Sequence, residues 1–287
     1  MGGRNVFIVS THEQPMRTPA LLLSLLLLAA SVLAVRPLPL LVPSTEVLQG
    51  SVVDYGTLGP GQTFSIQIYP IVTAPNDGRY MGRWDVASAS ELPSGWSSRP
   101  SGLYGNPLEL EVTTDPMAED GDYNFSVNVD DQDDADHIGG RFSFSVLVHL
   151  RSNVLTASVS PVFQEVGAGQ PARFAVSLTN TGTAPDTFRV SAQGVKDWSY
   201  QVNEYLAPGT SKTFNYEVVG GDEAYYPLVI TVNSFSSPKI HFEQPVALQV
   251  RTNLGADYRA TSHGVLLYPP LMLPLYSLAG ILGLIFP

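Results

Sequence analysis

Five aspartates fall within seven positions in the stretch Asp130-Asp131-Gln132-Asp133-Asp134-Ala135-Asp136-His137. Carboxylate and carbonyl oxygens at that density are the ligand chemistry of a hard divalent cation, so Asp131, Asp133, Asp134 and Asp136 are candidate Ca²⁺ ligands. The run lacks the Asp-x-Asp-x-Asp-Gly spacing with a distal Glu that marks an EF-hand. Without a cation the same carboxylates repel one another, which keeps a loop solvated and discourages pairing along a strand edge. Both readings stand on the sequence. The sequon Asn124-Phe125-Ser126 is a second candidate: with Tyr123 and Phe125 facing inward, Asn124 points outward, where a glycan can be attached.

The remaining reactive residue types are scattered. His12, His137, His149, His241 and His263 lie in different segments, and none is paired at zinc-ligand spacing. There is no Gly-x-Ser-x-Gly elbow, no His-Glu-x-x-His and no glycine-rich phosphate loop. Glu109 and Glu111 share an outward strand face, the setting of solvated rather than catalytic carboxylates. Trp96 and Trp198 can stack on sugars if exposed, but their recurrence at matching points of two repeats points to packing. No catalytic or cofactor-binding residue is expected, and the chain does not read as an enzyme.

Cysteine is absent, which excludes disulfides, thiolate metal sites and a cysteine nucleophile. The net charge of -11 reflects scarce base as much as plentiful acid, since Lys196, Lys212 and Lys239 are the only lysines. Nucleic acid is therefore not an expected partner, because phosphate binding needs clustered Lys and Arg.

The elements that must carry these residues read as strands. Phe64, Ile66 and Ile68 alternate with polar neighbours, as do Leu108, Leu110 and Val112; Phe125, Val127 and Val129; and Phe142, Phe144, Val146 and Val148. The second half repeats the pattern with Phe174, Val176 and Leu178, with Phe214, Tyr216 and Val218, and with Val246, Leu248 and Val250. Period two puts one face inside and one outside. Gly59-Pro60-Gly61-Gln62 and Gly167-Ala168-Gly169-Gln170 each precede such a strand; Trp96 and Trp198 follow, then Tyr123 and Tyr226 at nearly equal distances. This order predicts a diverged duplication, all-β, with one Ig-like β-sandwich in residues 35–150 and a second in 151–253.

The two ends differ from this middle. Arg17 followed by the apolar run of residues 21–34 reads as a signal peptide, with Met16 the true start, residues 1–34 a leader and maturation near Val35. Residues 254–264 read as a juxtamembrane linker, and 265–287 as a single-pass transmembrane helix, crowded in its first half by Pro269, Pro270 and Pro274. An uncleaved N-terminal anchor and a buried C-terminal core segment are the alternatives at the two ends.

Val176-Ser177-Leu178-Thr179-Asn180-Thr181-Gly182, then Trp198, then Leu206-Ala207-Pro208-Gly209-Thr210, resembles the Ig-like modules of prokaryotic surface proteins, of the CARDB and α-galactosidase-associated types. Leu92-Pro93-Ser94-Gly95-Trp96 matches one step of that pattern in the first half, whereas residues 71–78 replace the Asn-Thr-Gly turn there. Asn180 with Gly182, and Pro208 with Gly209, are expected at turns that use positive φ. The resemblance covers residues 50–250. It implies adhesion, envelope scaffolding or spacing of other domains, and carries no catalytic residues.

The resulting expectation is a non-enzymatic scaffold or adhesion protein of a prokaryotic, archaeal-type cell membrane, its ectodomain extracellular. Its expected partner is a cell-envelope or membrane protein. The alternatives are a carbohydrate- or Ca²⁺-dependent binding module, and an accessory subunit of an envelope enzyme complex.

Overall fold

Alternating apolar residues build a strand only when a neighbour offers a matching row, and in this chain each row meets one. The computed structural model describes residues 36–74, 78–196 and 198–251. The leader, the juxtamembrane linker and the C-terminal apolar segment expected from the sequence lie outside the described residues. Among the described residues, no helix is long and apolar enough to cross a membrane.

The first half holds β1 (Leu38–Val42), β2 (Thr45–Val47), β3 (Val52–Leu58), β4 (Thr63–Ile68), β5 (Ile71–Thr73), β6 (Tyr80–Arg83), β7 (Val86–Ser90), β8 (Ser97–Arg99), β9 (Leu108–Thr113), β10 (Gly121–Asp130) and β11 (Arg141–Leu150). One sheet runs β2-β1-β4-β9-β8 and the facing one β3-β11-β10-β7, while β5 and β6 form a separate ribbon. On β4 and β9 the pairs Phe64↔Val112, Ile66↔Leu110 and Ile68↔Leu108 put six buried side chains on one face. The pairs Phe125↔Val146, Val127↔Phe144 and Val129↔Phe142 do the same on β10 and β11. These rows close on each other as one core. Each such Phe, Leu or Ile contributes about 2 kcal/mol by leaving water.

The second half holds β12 (Leu155–Ser160), β13 (Phe163–Val166), β14 (Pro171–Asn180), β15 (Asp186–Gln193), β16 (Gln201–Leu206), β17 (Ser211–Val219), β18 (Tyr225–Ser234) and β19 (His241–Val250). Its sheets run β12-β14-β17 and β13-β19-β18-β15-β16, around a second core that includes Phe174, Phe188, Tyr216 and Ile230. Both halves use one parallel pairing at an edge, β3 with β11 and β13 with β19. Both belong to one unit beginning at Leu38.

One turn departs from expectation. Gly209 has φ +66 in its turn, but Gly182 and Asn180 do not enter the left-handed region. The Asn180 side chain shapes that turn instead: its Oδ1 accepts from Gly182 N at 3.0 Å, while its Nδ2 donates to Ala184 O at 2.8 Å. A buried amide thus does the work expected of backbone freedom.

Candidate functional site

The aspartate run joins β10 to β11, at the end of the first sandwich remote from the second. A short 3₁₀ turn, Gln132–Asp134, opens it, with Asp133 at φ 59 and Asp134 at φ 50. The four carboxylates diverge in use. Asp131 is turned inward and its two oxygens receive the Asp136 amide at 3.4 and 3.2 Å. Asp136 accepts from Arg83 N at 2.8 Å and from the Tyr80 hydroxyl at 3.4 Å. Asp134 lies 3.5 Å from His137 Nδ1, and Asp133 is exposed. Among the described residues no group of three or more His, Cys, Asp or Glu is arranged to hold a metal ion.

Asn124 is exposed on the outer face of β10, opposite Leu147, and Ser126 Oγ donates to Glu91 Oε2 at 2.7 Å. Trp96 is buried, with its ring centroid 5.6 Å from Tyr123 and 6.2 Å from Phe125, so it presents no open face to a sugar. Trp198 is half-buried, 6.0 Å from the exposed Tyr200. Glu109 accepts from Gln67 Nε2 at 3.1 Å, and Glu111 pairs with Arg99 at 3.4 Å; both are outer-face contacts.

His149, unremarkable in the sequence, sits between Asp122 at 2.9 Å and Asp54 at 3.3 Å, joining β11 to both of its neighbours. Arg151 meets the same Asp122 oxygen at 2.9 Å. The hydrogen bonds to Asp122 and Asp54 raise the imidazole above its ordinary 6.5, and those from His149 and Arg151 lower Asp122 below its ordinary 3.8. Elsewhere in the first core, burial pushes the Tyr55 hydroxyl up to about 12 while it donates to Ser65 O at 3.1 Å.

The densest buried polar constellation lies between the sandwiches, and the sequence reading missed it. Asp186, at the start of β15, is 4 % exposed and Gln62, just before β4, is fully buried. Gln62 Nε2 donates across the junction to Asp186 Oδ2 at 2.9 Å, while its Oε1 accepts from Gly59 N at 2.8 Å. Asp186 also receives Ser234 Oγ at 2.8 Å, Ser236 Oγ at 2.9 Å and the Thr187 amide at 2.7 Å. A buried carboxylate with four donors is satisfied without a counter-ion.

Around this knot the backbones approach closely. Thr183 donates through both its amide and its hydroxyl to Thr57 O, each at 2.8 Å. Ser237 Oγ donates to Pro116 O at 2.5 Å, and Lys239 Nζ reaches Ala118 O at 3.1 Å and Glu119 at 2.7 Å. A Cβ on Gly61 would stand 2.0 Å from Ser236 O, and one on Gly59 2.5 Å from Ile240 Cδ1. Ala184, from the second half, is fully buried in the core of the first. The short connection Arg151 to Leu155 hints at proximity but names none of these partners.

Matching devices recur in the two halves. Tyr123 donates to Glu119 O and Tyr226 to Asp222 O, each at 3.0 Å and four residues back. Gln62 and Gln170 each accept from the glycine three residues earlier, Gly59 at 2.8 Å and Gly167 at 3.4 Å.

No family model matches the chain, and no curated protein matches it. Similar solved structures include a chimeric titin Z1Z2 functionalized with a KLER peptide from decorin: 11% identity, 77% of this chain, 100% of that one, TM-score 0.34. A complex of zinc 2-glycoprotein and prolactin inducible protein from human seminal plasma matches at 9% identity over 34% of this chain and 95% of that one, TM-score 0.28. A β-glucosidase from Listeria innocua, in complex with glucose, matches at 12% identity over 35% of this chain and 17% of that one, TM-score 0.26. At these values the likenesses bear on no activity. What the chain's own geometry defines is an all-β protein of two paired-sheet halves with a polar lock between them.

Proposed function

We propose that the chain is a non-catalytic interaction protein of the prokaryotic cell surface. Two tandem Ig-like sandwiches, of the kind the CARDB resemblance implies, form a spacer exported by the leader and held by the C-terminal apolar segment. They present a partner, an envelope or membrane protein, with a surface at fixed distance and orientation. The observation that carries this reading is the junction: Gln62, Asp186, Ser234 and Ser236 tie the halves together through buried bonds, which a freely swinging linker would not need. The strand order supports it too. β19 runs away from the junction, so Val250 lies at the end opposite the loop after β10.

Gentle detergent extraction of the native chain from its own membranes, followed by intact mass and identification of co-extracted proteins, tests the proposal. A chain starting near Val35 in the membrane fraction, with an envelope protein attached, supports it. A soluble, solitary chain contradicts it. A carbohydrate-binding module is the second reading, favoured by the exposed Tyr80 and Tyr104 rings near the aspartate loop.

A further inference from the structure

The end of the first sandwich farthest from the junction combines exposed aromatic rings with an acidic surround. Tyr80 on β6 and Tyr104 in the loop before β9 are each 55% exposed, and Leu103 beside Tyr104 is 51% exposed. They come from different segments but are tied to one frame. The Arg83 guanidinium lies 5.4 Å from the Tyr104 ring centroid and donates through Nη2 to Gly105 O at 3.1 Å. Tyr80 and the Arg83 amide both converge on Asp136. Tyr104 N donates to Asp85 O at 2.8 Å, and Asp85 Oδ2 accepts from Gln132 N at 2.9 Å. A Cβ on Gly82 would stand 2.6 Å from Ile138 and 2.7 Å from Asp136, so β6 is seated directly against the aspartate loop. The rings are therefore held in place before any partner arrives, which lowers the ordering cost of binding.

Exposed tyrosines at the centre of a preorganised patch are the residue type that dominates protein interfaces. The charge around them selects the partner. Asp133 and Asp134 are exposed and Asp136 is partly so, while nearby Arg141 is already paired with Asp130 at 2.6 Å. Arg83 is half-buried, its Nε without a hydrogen-bond partner. Arg79, exposed beside Tyr80, adds a second cation, but the five carboxylates of Asp85, Asp131, Asp133, Asp134 and Asp136 outnumber the two arginines and leave the net charge of the patch negative.

We propose that Tyr80, Leu103 and Tyr104, flanked by Asp133, Asp134 and Asp136, form a docking surface for a protein segment in which Lys or Arg alternates with apolar side chains. The apolar groups cover the rings and the cations meet the carboxylates, which steer the encounter. This names the partner chemistry of the interaction protein proposed above and rests on that reading. Binding can nevertheless fail while membrane anchorage holds, so the two are separable.

The test uses the full chain and fluorescence anisotropy of a labelled heptapeptide alternating lysine with leucine. Its glutamate counterpart and a labelled cello-oligosaccharide serve as competing probes. The lysine peptide is expected to bind. Tyr80→Ser with Tyr104→Ser should weaken it by about tenfold or more. Asp133→Asn with Asp134→Asn should weaken it and flatten its salt dependence. Tyr205→Ser, at an exposed tyrosine of the second sandwich, should change nothing. The altered side chains are exposed, and unchanged melting temperatures confirm that each variant folds. Absence of binding overturns the proposal, as does binding indifferent to the tyrosine substitutions or equal binding of the glutamate peptide. Binding of the oligosaccharide alone, lost with Tyr80 and Tyr104, makes the patch a glycan site instead.

Discussion

Gly59-Pro60-Gly61-Gln62 and Gly167-Ala168-Gly169-Gln170 build the same turn with different consequences. In both, the glutamine side-chain Oε1 accepts from the amide of the first glycine and the second glycine adopts positive φ, +70 at Gly61 and +75 at Gly169. Around Gly169 nothing lies within 4 Å of where a Cβ would be, whereas at Gly61 the Ser236 carbonyl would be 2.0 Å away. Gln62 also extends its free amide to Asp186 in the other sandwich. One motif is a local turn in the second half and part of an interdomain lock in the first. Local sequence sets the turn, and the surface it meets decides what the turn is for.

The sharpest way to break that equivalence is to add one methyl group at each site. Gly169→Ala should cost about 1 kcal/mol, the strain of an L-residue in the left-handed region. Gly61→Ala should cost about 4 kcal/mol, because a backbone carbonyl must also move. Urea unfolding measures both. In the Gly61 variant, a loosened junction should additionally expose the connection between the halves to trypsin at Arg151, whose guanidinium bonds to Gly121 O at 2.9 Å and to Asp122 stay within the first sandwich. Equal costs at the two glycines would dissolve the distinction.

Next in size is Asp186→Ala, which leaves the Gln62 amide and two serine hydroxyls without their acceptor and should cost about 2 to 3 kcal/mol. Gln62→Ala removes the same interdomain bond from the other side and should cost about as much. No loss in either variant, measured by urea unfolding, would take the stabilisation out of the junction. Smaller still, and nearly equal between halves, Tyr123→Phe removes one hydroxyl bond to the backbone four residues earlier, and Tyr226→Phe removes two, one donated to Asp222 O and one accepted from Asp222 N; each should cost about 1 kcal/mol.

The smallest contrast is in pH response. His149 and Gln249 stand at matching register positions, opposite Asp122 and Tyr225, so only the first sandwich carries an ionic cluster there. His149 is raised above 6.5, so its contribution is complete below 6.5 and is lost as pH rises through its folded value. Asp122 is lowered below 3.8, so its contribution is present above 3.8 and is lost as pH falls through its folded value. Asp54, Asp122 and Arg151 face the imidazole, and the cluster contributes most between those limits. Melting temperature should decline modestly on the alkaline side, and His149→Gln should remove that decline. A decline that persists in the variant would assign it to another group.

The strands were legible because alternation in Phe64, Ile66 and Ile68, or in Phe174, Val176 and Leu178, has one solution once a partner row exists. The corresponding tyrosines and glutamines were legible for the same reason, being local. The junction was not. Gln62 and Asp186 are 124 residues apart, and nothing in either neighbourhood signals the other. The aspartate run was visible, but its use was not: spacing alone did not reveal that Asp131 turns inward or that Asp136 is engaged by β6. Asn180 was singled out as a turn former, yet its role rests on its buried side chain, which φ preferences do not predict.

Spin-label distances report directly on whether the lock fixes the two sandwiches in one orientation. The chain has no cysteine, so Glu46→Cys on β2 and Glu165→Cys on β13, both exposed, place one label on each half. One narrow distance distribution is expected in the otherwise native chain, broadening when Gly61→Ala is added. A broad distribution before that change would mean that the two sandwiches are not locked.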